Sequence, residues 1–456
     1  MKAKLPSRFP VHTGTDLRAL LGACHADPDD DTPRLALADW LQEHDDPRGE
    51  CVRLQCQLAA LPAGDPRYDD LMTRHEEWWR GHRKRWEKEG GALMWDAGPH
   101  DRGLPTFGHY EDESVWLNTD DVQDPANRPH DPLSRTIAEG WPGMTWVLPI
   151  AFAEFDSFED AGDPRAGGAA EGGSDLYEPF RAPPWAGSPA PVGIVFPDGM
   201  PVNPEHIERA SAVPNLRGIS LFDTQSEPRL LPHLARLTDL THLDLGTVRF
   251  GDAGVRALAP LTRLRTLISR NATLTNAGAA ELAKFTELRE LRLEGGRRLT
   301  AAGYKALAAL TKLEVLELGT ADDAAVRALA PLGRLRVLNL SGTGATGAGV
   351  ERFPLLTHLN LEDTPASDAG LAHLAALARL RVLDVDSTQI TGATLARLPG
   401  LKWLRELYAS QVALRDRDLV PLEPLKQLET LSLRGTQATE AALKSLKARL
   451  KKTDVW

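Results

Sequence analysis

The sequence predicts an α/β fold: a curved solenoid of about ten repeats of ~24 residues, with a parallel sheet inside and helices outside, preceded by a small helical domain. Three observations predict it. The pattern L-x-x-L-x-L begins at Leu216, Leu240, Leu264, Leu288, Leu313, Leu335, Leu356, Leu380, Leu404 and Leu428, at nearly even intervals that shorten only on either side of Leu335. Self-similarity at such a period is the signature of stacked repeats. Between successive patterns lies an apolar stripe at i, i+3, i+6, as in Leu395, Leu398 and Leu401, which suits one face of a helix. Ahead of the repeats, residues 16–89 carry helical periodicity.

That first stretch divides into helices at its breakers. Leu17, Leu20 and Leu21 open an apolar stripe, and the loop from His25 to Asp31 interrupts it. Pro33 suits the first turn of the next helix, which continues through Leu35, Leu37, Ala38 and Leu41. After Asp46-Pro47-Arg48-Gly49, a helix from Glu50 to Leu61 buries Val52, Leu54, Leu58 and Leu61; another follows from Asp69 to Lys88. Trp79 and Trp86, seven apart on that last helix, are expected on one packed face. Asp27, Asp29, Asp30 and Asp31 lack the D-x-D-x-D-G spacing and the later Glu of a calcium loop, so a helix-capping loop is expected there and no metal site.

The middle of the chain is different. Residues 91–215 hold 14 Gly and 17 Pro and carry a net charge of -15, against -3 for residues 1–90 and +7 for residues 216–456. That composition favours loops and partial disorder. Met144–Phe155 and Pro191–Phe196 nevertheless read as strands. Val192 precedes Leu216 by the same interval that separates Leu216 from Leu240, so a capping repeat is expected to begin there. The domains expected are residues 1–90, helical; 91–190, an acidic Gly/Pro-rich insert; and 191–456, the solenoid with its cap.

Within a repeat the roles follow from spacing. Leu380, Leu383 and Val385 point inward from a short strand, Ile390 drops back into the core, and Thr391 is placed to cap the following helix. The cap column recurs as Thr275, Thr300, Thr346, Ser367 and Thr439. One repeat cannot bury its own apolar face, so stability comes from stacking. Strands stack about 4.8 Å apart and packed helices about 8–10 Å apart, so the stack bends with its sheet on the concave side.

These repeats resemble the leucine-rich repeat family over about half the chain, with Thr388 standing where that family places Asn. The stretch DPDDDTPRLALADWLQEHDDPRGECVRLQCQLA, with Ala38–Leu41 (ADWL) and Asp46–Glu50 (DPRGE), resembles the bacterial repeat-companion domain, which commonly precedes such repeats. That resemblance brings no reaction, ligand or catalytic residue.

Function is less legible than architecture. Composition, 42% hydrophobic and 26% charged, excludes a wholly disordered chain, and no apolar run is long enough for a membrane span. Three cysteines (Cys24, Cys51, Cys56) exclude a disulfide framework and an all-cysteine zinc site. The leading residues carry no secretory pattern, so a cytoplasmic monomer is expected. No H-E-x-x-H, G-x-S-x-G or phosphate-loop motif occurs, so neither catalysis nor a cofactor is expected. What remains is a non-enzymatic module binding a protein or peptide on its concave face. The residues expected to carry it are Arg336, Asn339, His358, Asn360, Glu362, Arg381, Asp384, Asp386, Arg405 and Tyr408. Two alternatives stay open: nucleic-acid association through the basic, Trp-rich helix 74–88, where indoles would stack on bases, and a hydrolase within the middle segment.

Overall fold

The computed structural model describes residues 31–90, 192–196, 201–212, 216–295, 299–451 and 453–455, with residues 16, 19, 20, 23, 151, 152 and 199. Three helices run through residues 32–90: α1 (Thr32–Glu43), α2 (Arg48–Ala60) and α3 (Tyr68–Gly90). They are followed by one parallel sheet whose strands pair in sequence order: β1 (Ala151–Phe152), β2 (Val192–Val195), β3 (Leu216–Ser220), β4 (His242–Asp244), β5 (Thr266–Ala272), β6 (Glu290–Gly295), β7 (Val315–Leu318), β8 (Val337–Asn339), β9 (His358–Asn360), β10 (Val382–Asp384), β11 (Glu406–Tyr408), β12 (Thr430–Ser432) and β13 (Asp454–Val455). The strands anticipated within 144–155 and 191–196 are present as β1 and β2, so the sheet starts before the first regular repeat.

The core is one continuous column. Leu380, Leu383, Val385 and Ile390 are buried together, as are most of their counterparts in the other described repeats. The convex stripes are buried as spacing requires, but the helices carrying them are shorter than expected. Leu395 ends a helix that begins at Gly392, and Leu398 belongs to a separate 3-10 turn, Leu398–Gly400. The shortest repeat, from Leu335, replaces its helix with a 3-10 turn at Val350–Arg352.

Two columns of hydroxyl side chains fix the turns. The hydroxyls of Thr224, Thr343, Thr364, Thr388 and Thr436 each donate to the carbonyl three residues back, at 2.5–2.9 Å. The second column joins neighbouring repeats. Asp252 accepts from the backbone N–H of Thr275 at 2.9 Å and from its hydroxyl at 2.6 Å. Asp323 treats Thr346 the same way, and Asp416 treats Thr439. Asp368 takes four such bonds, from the N–H and hydroxyl of both Thr391 and Thr394. At Thr275, Thr391 and Thr439, where a helix starts in the next repeat, the carboxylate thus satisfies orphan donors. Thr275, Thr391 and Thr439 in turn cap their own helices as expected; Thr300 instead accepts from the Asn276 amide at 2.9 Å.

The N-terminal helices pack on the strand-entry edge of β10 and β11. Trp403 is buried with Leu58, Leu61, Tyr68 and Met72, meeting the Tyr68 ring edge-on at 6.3 Å. Asp69 accepts from Trp403 Nε1 and from Lys402 Nζ, both at 2.9 Å. Arg379 donates to the carbonyls of Leu61 and Pro62 and lies 4.0 Å over the Tyr68 ring.

Candidate functional site

The concave row is assembled by sheet register. Asn339, Asn360, Asp384 and Tyr408 are direct partners on β8, β9, β10 and β11. Each occupies the fifth position of its repeat and so projects opposite to the inward leucines on either side. The same side chains do local work. Asn339 accepts from the N–H of Ser341, Asn360 from that of Glu362 and Asp384 from that of Asp386, at 2.7–3.0 Å. An Asn or Asp here closes its own strand-exit turn, which is why these residue types recur. One oxygen is spent on the turn; the Asn amide nitrogens and the second Asp384 oxygen are left over.

Burial along this row is tighter than the spacing suggests. Asn339, Glu362 and Tyr408 are half-buried, while His358, Asn360, Asp384 and Asp386 are buried. Burial raises the Asp384 carboxyl to about 7, with the like charges of Asp386 and Glu362 adding to the rise and the Asp386 N–H opposing it. Asp386 accepts from the N–H of Ser410, and the Tyr408 hydroxyl donates to Glu406 at 2.8 Å.

Arg336, Arg381 and Arg405 do not stand in the exposed row. They precede their strands by one residue and are buried, with relative exposures of 4%, 3% and 6%. The expectation that Arg381 lies open on the binding face is therefore corrected. At this strand-entry position the charges form a ladder: Arg289 donates to Glu314 at 2.9 Å, Arg336 lies 3.7 Å from the same carboxylate, and Arg405 pairs with Glu76 of α3. Arg405 is thus engaged by the N-terminal helices.

A second charged patch lies on the same face at β4–β7. Arg292 donates to Glu290 and approaches Glu317 at 3.5 Å, and Arg270 sits 3.7 Å from Glu294 and 4.4 Å over the Phe222 ring. Burial raises the carboxyls of Asp244, Glu290 and Glu294, each against the pull of Arg292. Opposite charges answer one another here, whereas Glu362 and Asp384 form no ion pair with a cation among the described residues.

Residues of the N-terminal motifs make contacts within the helical unit. Arg48 donates through Nε and Nη2 to both oxygens of Asp46, with both side chains fully buried. Trp78 Nε1 donates to the Pro47 carbonyl at 2.9 Å, and its ring stacks on His82 at 4.4 Å. The packed tryptophan of α3 is therefore Trp78, with Trp79 half-buried; the Trp86 side chain lies outside the described residues. Cys51 and Cys56 are buried, and burial pushes the Cys51 thiol up. Asp31 pairs with Arg34. Asp27, Asp29 and Asp30 lie outside the described residues, as do residues 91–150 and 153–191, the stretch to which the hydrolase alternative belongs. Among the described residues no group of three or more His, Cys, Asp or Glu could hold a metal ion, and no helix is long and apolar enough to cross a membrane.

Residues 379, 402 and 403 are a contact that repeat spacing does not anticipate. A signal for them exists. The column just before each repeat's first Leu reads Asp239, Arg263, Glu287, Lys312, Arg334, Leu355, Arg379 and Trp403, mostly charged, with Trp403 its one aromatic.

Solved structures with a similar arrangement are leucine-rich-repeat proteins. An internalin of Listeria monocytogenes is 22% identical, covering 58% of this chain and 85% of that one, with a TM-score of 0.39. A leucine-rich-repeat protein of Leptospira interrogans is 15% identical, covering 58% and 89%, with a TM-score of 0.29. A second internalin of Listeria monocytogenes is 22% identical over 45% and 75%, also at 0.29. No family model and no curated protein matches the chain, so the likeness of residues 16–90 to a repeat-companion domain rests on its two motifs alone. On the spacing of its own repeats and the register of its own sheet, the chain folds as a leucine-rich-repeat solenoid.

Proposed function

We propose that this chain is a non-enzymatic, cytoplasmic scaffold that binds a protein or peptide segment on the concave face of its solenoid. In this reading residues 1–90 form a helical unit, 91–190 an acidic insert and 191–456 the binding solenoid. The observation that carries it is the alignment of Asn339, Asn360, Asp384 and Tyr408 across four hydrogen-bonded strands, beside Glu362 and Asp386. Side chains this deeply set present their tips only, which favours an extended segment over a bulky surface. The carboxylates of Glu362 and Asp384 favour a segment bearing Lys or Arg, because a cation brought against a desolvated carboxylate is held more strongly than in water. Aromatic side chains such as Tyr408 commonly anchor such contacts.

The test is capture of partners by the full chain, followed by titration of the one identified. Replacing Glu362 by Lys, Asp384 by Asn and Tyr408 by Ala together should abolish binding, while Arg327→Glu on the convex side should leave it intact. With Asp384 at about 7, binding of a cationic segment should also weaken as the pH falls from 8 to 6, since protonation removes the charge it meets. Loss of binding from the convex change alone, or its survival in the triple variant, would sink the concave reading.

A further inference from the structure

Arg381 differs from the other arginines of the strand-entry ladder. Its neighbours are on adjacent strands: Arg381 N–H donates to the Thr357 carbonyl and Arg405 N–H to the Arg381 carbonyl, both at 2.7 Å. Glu314 serves Arg289 and Arg336, and Glu76 serves Arg405 and Arg80. No carboxylate pairs with Arg381 among the described residues, the residue is 3% exposed, and Nη1 is sealed from solvent with no hydrogen-bond acceptor. Two guanidinium groups therefore lie side by side at the seam with α3, and only one of them has an acid. The proximity is felt electrostatically: burial lowers the Arg405 pKa, Glu76 opposes this, and Arg381 adds to it. A buried charge without a partner is costly enough that such groups are paired or sit where an ion binds.

We propose that Arg381, with Arg405 beside it, forms an oxyanion-binding site at the seam between α3 and the strand entries of β10 and β11. The planar fork of an arginine matches two oxygens of a carboxylate or phosphate. That chemistry has two sources, a free oxyanion or an acidic side chain of a bound polypeptide. The site stands apart from the concave row, because it is filled and read without any concave-face partner.

The full chain is titrated with inorganic phosphate and, separately, with N-acetyl-glutamate amide, at constant ionic strength, following heat of binding and Tm. One probe is expected to bind saturably at one site per chain and to raise Tm. Saturation by phosphate identifies a free oxyanion; saturation by the glutamate derivative alone identifies an acidic side chain. Arg381→Met, which keeps the stem and removes the charge, should weaken binding at least tenfold without lowering the Tm of the unliganded protein. Arg381→Lys should bind with intermediate affinity. No saturation by either probe up to about 50 mM, where a millimolar site is filled, overturns the proposal. So does equal binding by wild type and the Arg381 variants.

Discussion

Ser269 occupies the inward position that the neighbouring repeats fill with Leu245 and Leu293. It is fully buried, and its hydroxyl has no hydrogen-bond partner. A buried polar group left unpaired costs about 1–3 kcal/mol, and Ala409 shows that a methyl is accommodated at the equivalent place in another repeat. Ser269→Ala should therefore raise stability by about 1 kcal/mol in a denaturant titration; a loss of that size would mean the hydroxyl has a role in the folded core. At this scale the sequence is most legible where residues are apolar. Leu383 and Leu374 lie in the core as spacing requires. It is least legible for arginine, whose long stem reaches cover from a strand-entry position that simple alternation places at the surface. Asp384 and Asn360 read as ligand residues, and spacing alone does not disclose that each also closes a turn.

At the scale of the element, the carboxylate rungs decide how a repeat is tied to the next. Asp368 makes four of these bonds, and Thr394 beneath it is fully buried. Asp368→Ala strands several donors and should cost about 2–3 kcal/mol, more than Asp416→Ala, whose carboxylate serves only the exposed Thr439. Burial alone would raise the Asp368 carboxyl, but the bonds from Thr391 and Thr394 outweigh it and hold the group low; Asp252 is held low in the same way by Thr275. The contribution is thus complete above the unfolded carboxyl pKa of about 3.9 and is lost as the pH falls through the folded value. Thermal unfolding between pH 6 and pH 2.5 should show wild type losing more stability than Asp368→Asn; parallel curves would exclude the rung as an acid-sensitive element. The cap column announces the Thr of each rung in sequence. Its Asp partner lies one repeat upstream and belongs to no local pattern, so the rung itself is invisible there.

For the whole molecule, the contact between the N-terminal helices and the solenoid matters most. Its centre is one indole, and its rim is the charges of Asp69, Lys402, Glu76 and Arg405. An interface of this kind loosens when its anchor is removed. Trp403→Ala should increase hydrogen exchange across α2 and α3 and expand the chain in small-angle scattering, with the solenoid's own exchange unchanged. Lys402→Ala, at the exposed rim, should change little. Equal effects of the two substitutions would contradict a Trp-centred dock. Here the sequence holds the clue, an indole at Trp403 in a column that is otherwise mostly charged, but stacking treats each repeat as equivalent and passes over the exception that makes one edge sticky.

The rungs have a mechanical consequence. They do not run without interruption: Asp252, Asp323, Asp368 and Asp416 each reach forward, but Ala301, Gly347 and Gly392, which hold the matching place in other repeats, carry no carboxylate to do so. Those joints lack the carboxylate rung and are held by apolar packing, strand pairing and other polar contacts, such as Arg289–Glu314 and Asp386–Ser410. In the described repeats beyond Ala301 the carboxylate staple therefore falls at every second joint, so a mechanical period of two repeats is laid over a structural unit of one.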